Sequence, residues 1–263
     1  MAWEGGMALL GNFRSWTGLL MSMGLVFCAH AGPTVAVCDD VAGWPPFAYA
    51  DPDEPAVVKG ATIELVGGIL ARAGYTMQTT LLPWKRCLSD VEEGRLAMVI
   101  NASLNEERVQ KYLVTKPLYV VHSALYYLNE RYPQAPVLSK PADLKAHSFC
   151  GLFGYNYTMY DIPPANLDTS AHDEATRFRM LRNGRCDFAL GDVEVLNAFV
   201  ARGQLDMKGV EQLPIPGAKP KEFHTLVSRN YPDAEKLVKI INDGLSAARA
   251  DKSYWRTLKK YGL

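Results

Sequence analysis

In the first half of the chain, short apolar runs of strand length alternate with segments whose apolar residues recur at helical spacing. Thr34–Cys38, Thr76–Leu82 and Ala97–Ile100 are predicted to be strands. Thr62–Ala73 and Lys85–Glu93 lie between them, are predicted to be helices, and are each followed by a glycine. The order β-α-β-α-β predicts a parallel sheet with right-handed crossovers.

The second half of the chain repeats this scheme. Ala146–Phe153 and Cys186–Leu190 are predicted strands, and Asp173–Asn183 between them is a predicted helix. Phe223–Ser228 is a further extended run, and Asp233–Tyr261 is predicted to be mostly helical. The whole pattern indicates an α/β protein with two similar halves.

Candidate binding residues follow the predicted strands of the first half. Trp44, in the segment GWPPFAY, comes after the first strand, and Trp84 comes after the second. Asn101, Ser103 and Arg108 come after the third. Ligands of open α/β sheets bind at the carboxyl ends of the strands, so we expect these side chains at one site.

Arg108 is the residue whose chemistry narrows the choice of ligand. A guanidinium presents two parallel donors that match a carboxylate. The alternative is a solvated arginine paired with Glu106 or Glu107, which would contribute little. Asp192 closes a predicted strand in the second half, so an anion there would correspond to the cation in the first.

Composition excludes some classes of function. Lys and Arg together number 28, equal to Asp and Glu, which gives no support for a nucleic-acid or anionic-membrane surface. The five histidines are scattered, and no P-loop or Ser-His-Asp order is present, so we expect no metal, cofactor or catalytic residue.

The first thirty-one residues are predicted to be a signal peptide. Arg14 precedes an apolar run, Trp16–Phe27, that is too short to span a bilayer. Ala29-His30-Ala31 has the small-x-small pattern of a cleavage site, so cleavage is expected after Ala31. The mature chain would be exported and soluble.

Export makes disulfides possible among Cys38, Cys87, Cys150 and Cys186. Four cysteines allow three pairings, and four free thiols are the alternative. We favour Cys38–Cys87 with Cys150–Cys186, because each pair then lies within one half of the chain.

Seven motifs occur in an order that resembles one family. They are WPPF, GATIELVGGILARAGY, PW, ASLNEER–KPLY, GLFGYNY, GRCDFALGD and YWRTLKKYG. The mature chain thus resembles the periplasmic solute-binding proteins of the amino-acid type, family 3. The resemblance implies a type II fold: two lobes, each a mainly parallel sheet flanked by helices, joined by two crossing strands.

The same resemblance implies where the lobes lie. The first would comprise residues 32–122 plus 225–263, and the second residues 123–224. The hinge strands would lie near Val120–Tyr126 and Phe223–Ser228, within the extended runs Val120–Leu128 and Phe223–Ser228.

By the same resemblance, Arg108 would bind the α-carboxylate of an amino acid and Asp192 its α-ammonium, with Trp44 and Trp84 around the side chain. A buried zwitterion needs a partner at each end. The remaining residues expected to contact the ligand are Asn101, Ser103, Gly154, Tyr155 and Asn156. Tyr155 and Asn156 stand where many members have serine or threonine, so Tyr155 would fill space and select a smaller or different ligand.

The resemblance further implies a periplasmic monomer that delivers its ligand to an inner-membrane ABC permease. Two alternatives stay open. One is an enzyme similar to cyclohexadienyl dehydratase, for which Glu194 would be the acid. The other is a sensing partner of a signalling receptor.

Overall fold

Two β-sheets organise the described part of the chain, which is residues 32–263 of a computed structural model. The predicted signal peptide, residues 1–31, lies outside the described residues. The strands are β1 (Thr34–Asp40), β2 (Tyr49–Ala50), β3 (Val58–Lys59), β4 (Thr76–Leu82), β5 (Met98–Ala102), β6 (Tyr112–Val114), β7 (Tyr119–Val121), β8 (Ser123–Leu128), β9 (Phe149–Leu152), β10 (Leu167–Ala171), β11 (Phe188–Asp192), β12 (Val210–Pro214) and β13 (Lys221–Ser228). The helices are α1 (Ala61–Arg72), α2 (Trp84–Glu92), α3 (Glu106–Lys111), α4 (Glu174–Arg182), α5 (Val193–Ala201), α6 (Ala234–Ala250) and α7 (Ser253–Lys260).

The first sheet has the strand order β4-β1-β5-β13-β6, with β7 also paired to β13. Strand β1 is parallel to both β4 and β5, which confirms the predicted β-α-β-α-β unit. Strand β13 joins this unit antiparallel to β5, although it comes more than one hundred residues later in the chain. Every residue of β5 is buried, as expected for a central strand covered on both faces.

The second sheet has the order β10-β9-β11-β8-β12. Strands β10, β9 and β11 are mutually parallel, and β8 and β12 extend the sheet in antiparallel fashion. The mixed α/β architecture with two helix-flanked sheets confirms the predicted fold class. Its parallel strands direct their carboxyl ends toward one edge, where a ligand would bind.

The chain passes from the first sheet to the second at His122. The predicted extended run Val120–Leu128 consists of parts of two strands, and β7 pairs with β13 whereas β8 pairs with β11, as expected of a segment that crosses between the sheets. The backbone N–H of His122 donates to Glu194 (2.9 Å) and its carbonyl accepts from Val193 (2.7 Å), so its backbone groups bond to α5.

The chain returns to the first sheet between Pro214 and Lys221. Strand β13 begins two residues earlier than the predicted run, and Lys221 already pairs with Val121 of the first sheet. The predicted boundary between residues 224 and 225 therefore falls inside one strand. The lobe limits stay a prediction.

Both favoured disulfides are present. Cys38 of β1 is bonded to Cys87 of α2, with their Cα atoms 5.8 Å apart. Cys150 of β9 is bonded to Cys186, with a Cα separation of 5.7 Å. Each bond joins a strand to a nearby segment of the same half, which confirms the pairing.

Several element limits differ from the predicted ones. The predicted strand Ala146–Phe153 is shortened to Phe149–Leu152 by a 3₁₀ turn over Pro141–Ala146. The predicted terminal helix is two helices, because Lys252 adopts a left-handed conformation (φ 63°) between them. No limits were predicted for helix α3, since EERVQK has no apolar periodicity.

Helix α6 packs closely against α1 through a glycine. A Cβ added to Gly244 would lie 2.3 Å from Cγ2 of Ile69, which is 2% exposed.

Within residues 32–263, none of the helices combines the length and the apolar character needed to cross a membrane.

We expect Gly244→Ala to destabilise the protein and Gly68→Ala, in α1, to stabilise it. Each substitution gains about 1 kcal/mol of helix propensity. At Gly244 the methyl group would overpack the core against Ile69, at a cost of about 1–3 kcal/mol. At Gly68 the nearest atom is 3.9 Å away, on the flexible side chain of Arg72. Urea unfolding of both variants measures this difference, and equal changes in the free energy of unfolding would contradict the packing argument.

Candidate functional site

A central cleft lies where the carboxyl ends of strands from both sheets meet. The cavity within it has a volume of about 20 Å³, room for about one water molecule. Its lining residues are Asp39, Asp40, Trp44, Trp84, Asn101, Ser103, Arg108, Tyr155, Asn156, Lys221 and Phe223. Seven of these were predicted as ligand contacts. Asp39, Asp40, Lys221 and Phe223 were not.

Arg108 is positioned by the short segment between β5 and α3. Asn105 caps α3 by accepting the Arg108 N–H (2.9 Å), which places the arginine in the first turn. Its Nη1 donates to the carbonyl (2.7 Å) and the hydroxyl (3.3 Å) of Ser103, and its guanidinium lies 5.4 Å from the Trp84 ring centroid. Arg108 is thus buried at 6% exposure and is not paired with Glu106 or Glu107.

Burial lowers the pKa of Arg108. Arginine nevertheless keeps its proton at neutral pH, so the cleft contains a fixed positive charge. The oxygens that contact this guanidinium belong to neutral groups, the backbone and hydroxyl of Ser103 and the backbone of Gly154. A carboxylate ligand would supply the opposite charge.

Trp44 is fixed by a buried hydrogen-bond network. Its indole N–H donates to the Tyr119 hydroxyl (2.8 Å), which donates in turn to the Asn101 side chain (2.9 Å). The Asn101 amide then donates to Asp39. Asn101 has a left-handed backbone conformation (φ 61°), a strained state that this network holds in place.

Asp39 and Asp40 end β1 and add acidic groups to the cleft. Burial raises the pKa of Asp39 well above its usual range and also raises the pKa of Asp40. The sequence contained a sign that these two residues belong to the site, since two adjacent acids at the carboxyl end of a buried strand are unusual. Asp39 contacts Asn101 of its own sheet, whereas Asp40 accepts a hydrogen bond from Tyr155 of the other half.

Gly154, Tyr155 and Asn156 follow β9 of the second sheet and reach across the cleft. The Gly154 carbonyl accepts from Trp84 Nε1 and from Arg108 Nη2, both at 3.2 Å. The Asn156 amide donates to the Leu104 carbonyl (2.7 Å). The three residues therefore bond directly to groups that the first half contributes.

Asp192 ends β11 and lies in an adjoining cavity of about 10 Å³ rather than in the cavity that Arg108 lines. The two cavities share Trp44, Tyr155 and Lys221. The Asp192 carboxylate accepts from the Ser123 hydroxyl and from Lys221 Nζ (2.7 Å). Its counter-charge in this structure is therefore a lysine of β13.

Lys221 was missed by sequence reasoning. It is 7% exposed, and Asp192 is also 7% exposed, so they form a buried ion pair. A buried lysine normally requires such a partner. A lysine at the start of KEFHTLVS gives no sign of burial, because strand ends usually face water.

Glu194, the acid named for a dehydratase, is bonded to His122 through that residue's backbone N–H and ring. It lines neither of the two cavities.

Comparisons with known proteins agree with the architecture. No curated protein matches the sequence significantly. The substrate binding protein of an amino acid ABC transporter is 18% identical, with a TM-score of 0.68 over 87% of this chain and 98% of that chain. A histidine kinase sensor domain with similarity to periplasmic binding proteins is 20% identical, with a TM-score of 0.72 over 88% and 96%.

An ancestral amino acid-binding protein, a precursor of cyclohexadienyl dehydratase, is 16% identical, with a TM-score of 0.67 over 87% of this chain and 95% of that one. These likenesses support the two-lobed fold. The family model described as bacterial extracellular solute-binding proteins, family 3, matches residues 35–263. Because this match covers most of the chain, the protein belongs to family 3 of the bacterial extracellular solute-binding proteins.

Proposed function

We propose that this protein binds an amino acid in the central cleft and delivers it to an ABC permease of the inner membrane. The observation that carries the proposal is the buried guanidinium of Arg108, which sits against Trp84 and has no acidic partner among its hydrogen bonds. A ligand carboxylate would complete this site with two parallel charge-assisted hydrogen bonds.

The α-ammonium of the ligand would be received by Asp192. The carboxylate of Asp192 is already paired with Lys221, so the ligand ammonium would have to approach this carboxylate beside the lysine. A carboxylate has about four lone-pair sites, so Asp192 accepts a second cation without releasing the first. Trp44 and Trp84 then face the side chain, with Asn101, Ser103 and Asn156 as further polar contacts.

The names of solved relatives support the amino-acid class, since one is the binding protein of an amino acid ABC transporter. We further propose that the signal peptide is cleaved after Ala31 and that the protein acts as a monomer in the periplasm. Its lobes would comprise residues 32–122 plus 225–263 and residues 123–224, and they would close on the ligand about the two crossings. Closure requires that the ligand contact both lobes.

We propose that it is not an enzyme. Glu194, the acid named for the dehydratase alternative, is engaged with His122 and lines neither cavity, whereas that reaction needs an acid within reach of the leaving group. A sensor domain with the same fold exists, and the ligand-binding half of that function would be identical.

Ligand-stripped protein should gain thermal stability with one or a few members of a panel of the twenty amino acids, because a ligand that binds only the folded state raises its melting temperature.

Arg108→Ala should weaken binding by at least about 30-fold, since truncation of one partner of a buried charged pair costs about 2–5 kcal/mol. Arg108→Lys should also weaken it, because an ammonium lacks the two-pronged donor.

Arg86→Ala is the matched control. Arg86 lies on helix α2, in the same half of the chain as Arg108. Its side chain is 69% exposed, and it lines neither cavity. It should bind as the wild type does. If no amino acid shifts the melting temperature of the stripped wild-type protein, the amino-acid assignment is wrong.

Asp192→Asn should weaken binding of an amino acid more than binding of the matching 2-hydroxy acid. The carboxylate interacts with the ammonium, which the hydroxy acid lacks. Titration calorimetry with alanine and lactate, on wild type and variant, gives the coupling between the substitution of Asp192 and the replacement of the ligand ammonium by a hydroxyl. We expect a coupling of about tenfold or more. An equal loss for both ligands would mean that Asp192 does not receive the ammonium.

A further inference from the structure

Tyr155 of the second half lies between the two tryptophans of the first. Its ring centroid is 5.8 Å from that of Trp44 and 6.1 Å from that of Trp84, with interplanar angles of 64° and 60°. These are edge-to-face contacts of the kind that aromatic rings favour. The space that a ligand side chain would occupy between Trp44 and Trp84 therefore holds a side chain of the protein itself.

The hydroxyl of Tyr155 is anchored at the far side of this space. It donates to Oδ2 of Asp40 (2.9 Å), at the carboxyl end of β1. Burial of the hydroxyl, together with the negative charge of Asp40, raises the pKa of Tyr155 well above its usual range. The phenol thus stays protonated and donates a hydrogen bond to an acid of the opposite half, as a polar ligand side chain would.

The residue before Tyr155 bonds to the carboxylate-binding arginine. The Gly154 carbonyl accepts from Arg108 Nη2 and from Trp84 Nε1. A carbonyl oxygen carries partial negative charge and stands where one oxygen of a ligand carboxylate would approach the guanidinium.

This backbone conformation favours a glycine. Gly154 has φ +77°, and a Cβ there would lie 2.9 Å from Cγ of Lys85 and 3.3 Å from Cδ1 of Trp84. A side chain at this position would strain the backbone and press on both of these residues.

We propose that Gly154 and Tyr155 act as an internal ligand, which competes with the solute for Arg108, for the space between Trp44 and Trp84, and for Asp40. Tyr155 is then a specificity-determining residue. A solute with a small side chain displaces only the Gly154 carbonyl, whereas a large side chain must also expel the tyrosine ring from between the tryptophans. The same contacts join the two halves, so removal of the Tyr155 ring should loosen them.

The size dependence of binding rests on the proposed function and is tested with Tyr155→Ala and Tyr155→Phe. Titration calorimetry on ligand-stripped protein uses glycine, alanine, leucine and phenylalanine. For the wild type we expect the smaller amino acids to bind more tightly. Tyr155→Ala should tighten leucine and phenylalanine binding by about tenfold or more relative to glycine, the scale on which apolar pockets discriminate.

Tyr155→Phe is the matched control, because it keeps the ring between the tryptophans and loses the hydrogen bond to Asp40. It should keep the wild-type preference for small side chains. If Tyr155→Ala shows the same dependence on side-chain size as the wild type, the tyrosine does not set selectivity and the proposal is overturned.

Small-angle X-ray scattering tests the internal ligand without any solute. Stripped Tyr155→Ala should have a larger radius of gyration than the stripped wild type, and Tyr155→Phe an intermediate or unchanged one. An equal radius for wild type and Tyr155→Ala would overturn the proposal. The alanine variant removes a partly exposed side chain, and circular dichroism checks that it is folded.

The two sets of results separate this proposal from the proposed function. If no amino acid binds any variant but Tyr155→Ala expands, the internal ligand stands and the amino-acid assignment falls. If amino acids bind but Tyr155→Ala changes neither the size dependence nor the radius of gyration, the amino-acid assignment stands and the internal ligand falls.

Discussion

Charged groups buried between two sheets impose the main constraint on this molecule. A charge taken out of water costs several kcal/mol unless it is paired and hydrogen-bonded. Asp192 meets this condition through Lys221 of the opposite sheet, whereas Arg108 is hydrogen-bonded only to neutral groups, one of which is the Gly154 carbonyl of the other half. The two sheets are therefore joined by polar contacts as well as by aromatic packing.

The Asp192–Lys221 pair has a particular position in this scheme. Lys221 begins β13, the strand by which the chain returns to the first sheet, and Asp192 ends the central strand of the second. The pair thus bridges the sheets beside a crossing of the chain. Ion pairs at such a place fix geometry more than they add stability, because the desolvation cost of two buried charges offsets much of their attraction.

The parts of the fold that follow from local patterns could be predicted. Strand β4 and helix α1 show clear periodicity, and the parallel order of the first sheet follows from the alternation of these elements. The positions of Trp44, Trp84 and Arg108 at one edge follow from the rule that such residues come after parallel strands. Each of these conclusions needs only the nearest hundred residues.

What could not be predicted depends on contacts between distant segments. Burial of Lys221 is decided by Asp192, which lies in the other sheet. The resemblance led us to expect Tyr155 to line the site and fill space. Its insertion between two tryptophans depends on how closely the sheets approach, and no local pattern of residues encodes that distance. The short helix α3 needed its Asn105 cap, which a search for apolar periodicity passes over.

The two tryptophans are held in different ways, and this difference bears on how the cleft works. Trp44 is bonded to Tyr119 of β7, which stacks between Phe47 (3.7 Å between ring centroids) and Phe223 (5.2 Å) of β13, the strand with which β7 pairs. This wall of the cleft therefore needs no contact with the second sheet. The indole N–H of Trp84 donates to the Gly154 carbonyl instead, so its bond exists when the second half is in place. If the lobes close as proposed, Trp44 would be a fixed surface against the solute, whereas the hydrogen bond of Trp84 would form on closure. Discrimination between solutes would then depend on how well each solute replaces the hydrogen bonds that Trp84 and Arg108 give to the Gly154 carbonyl.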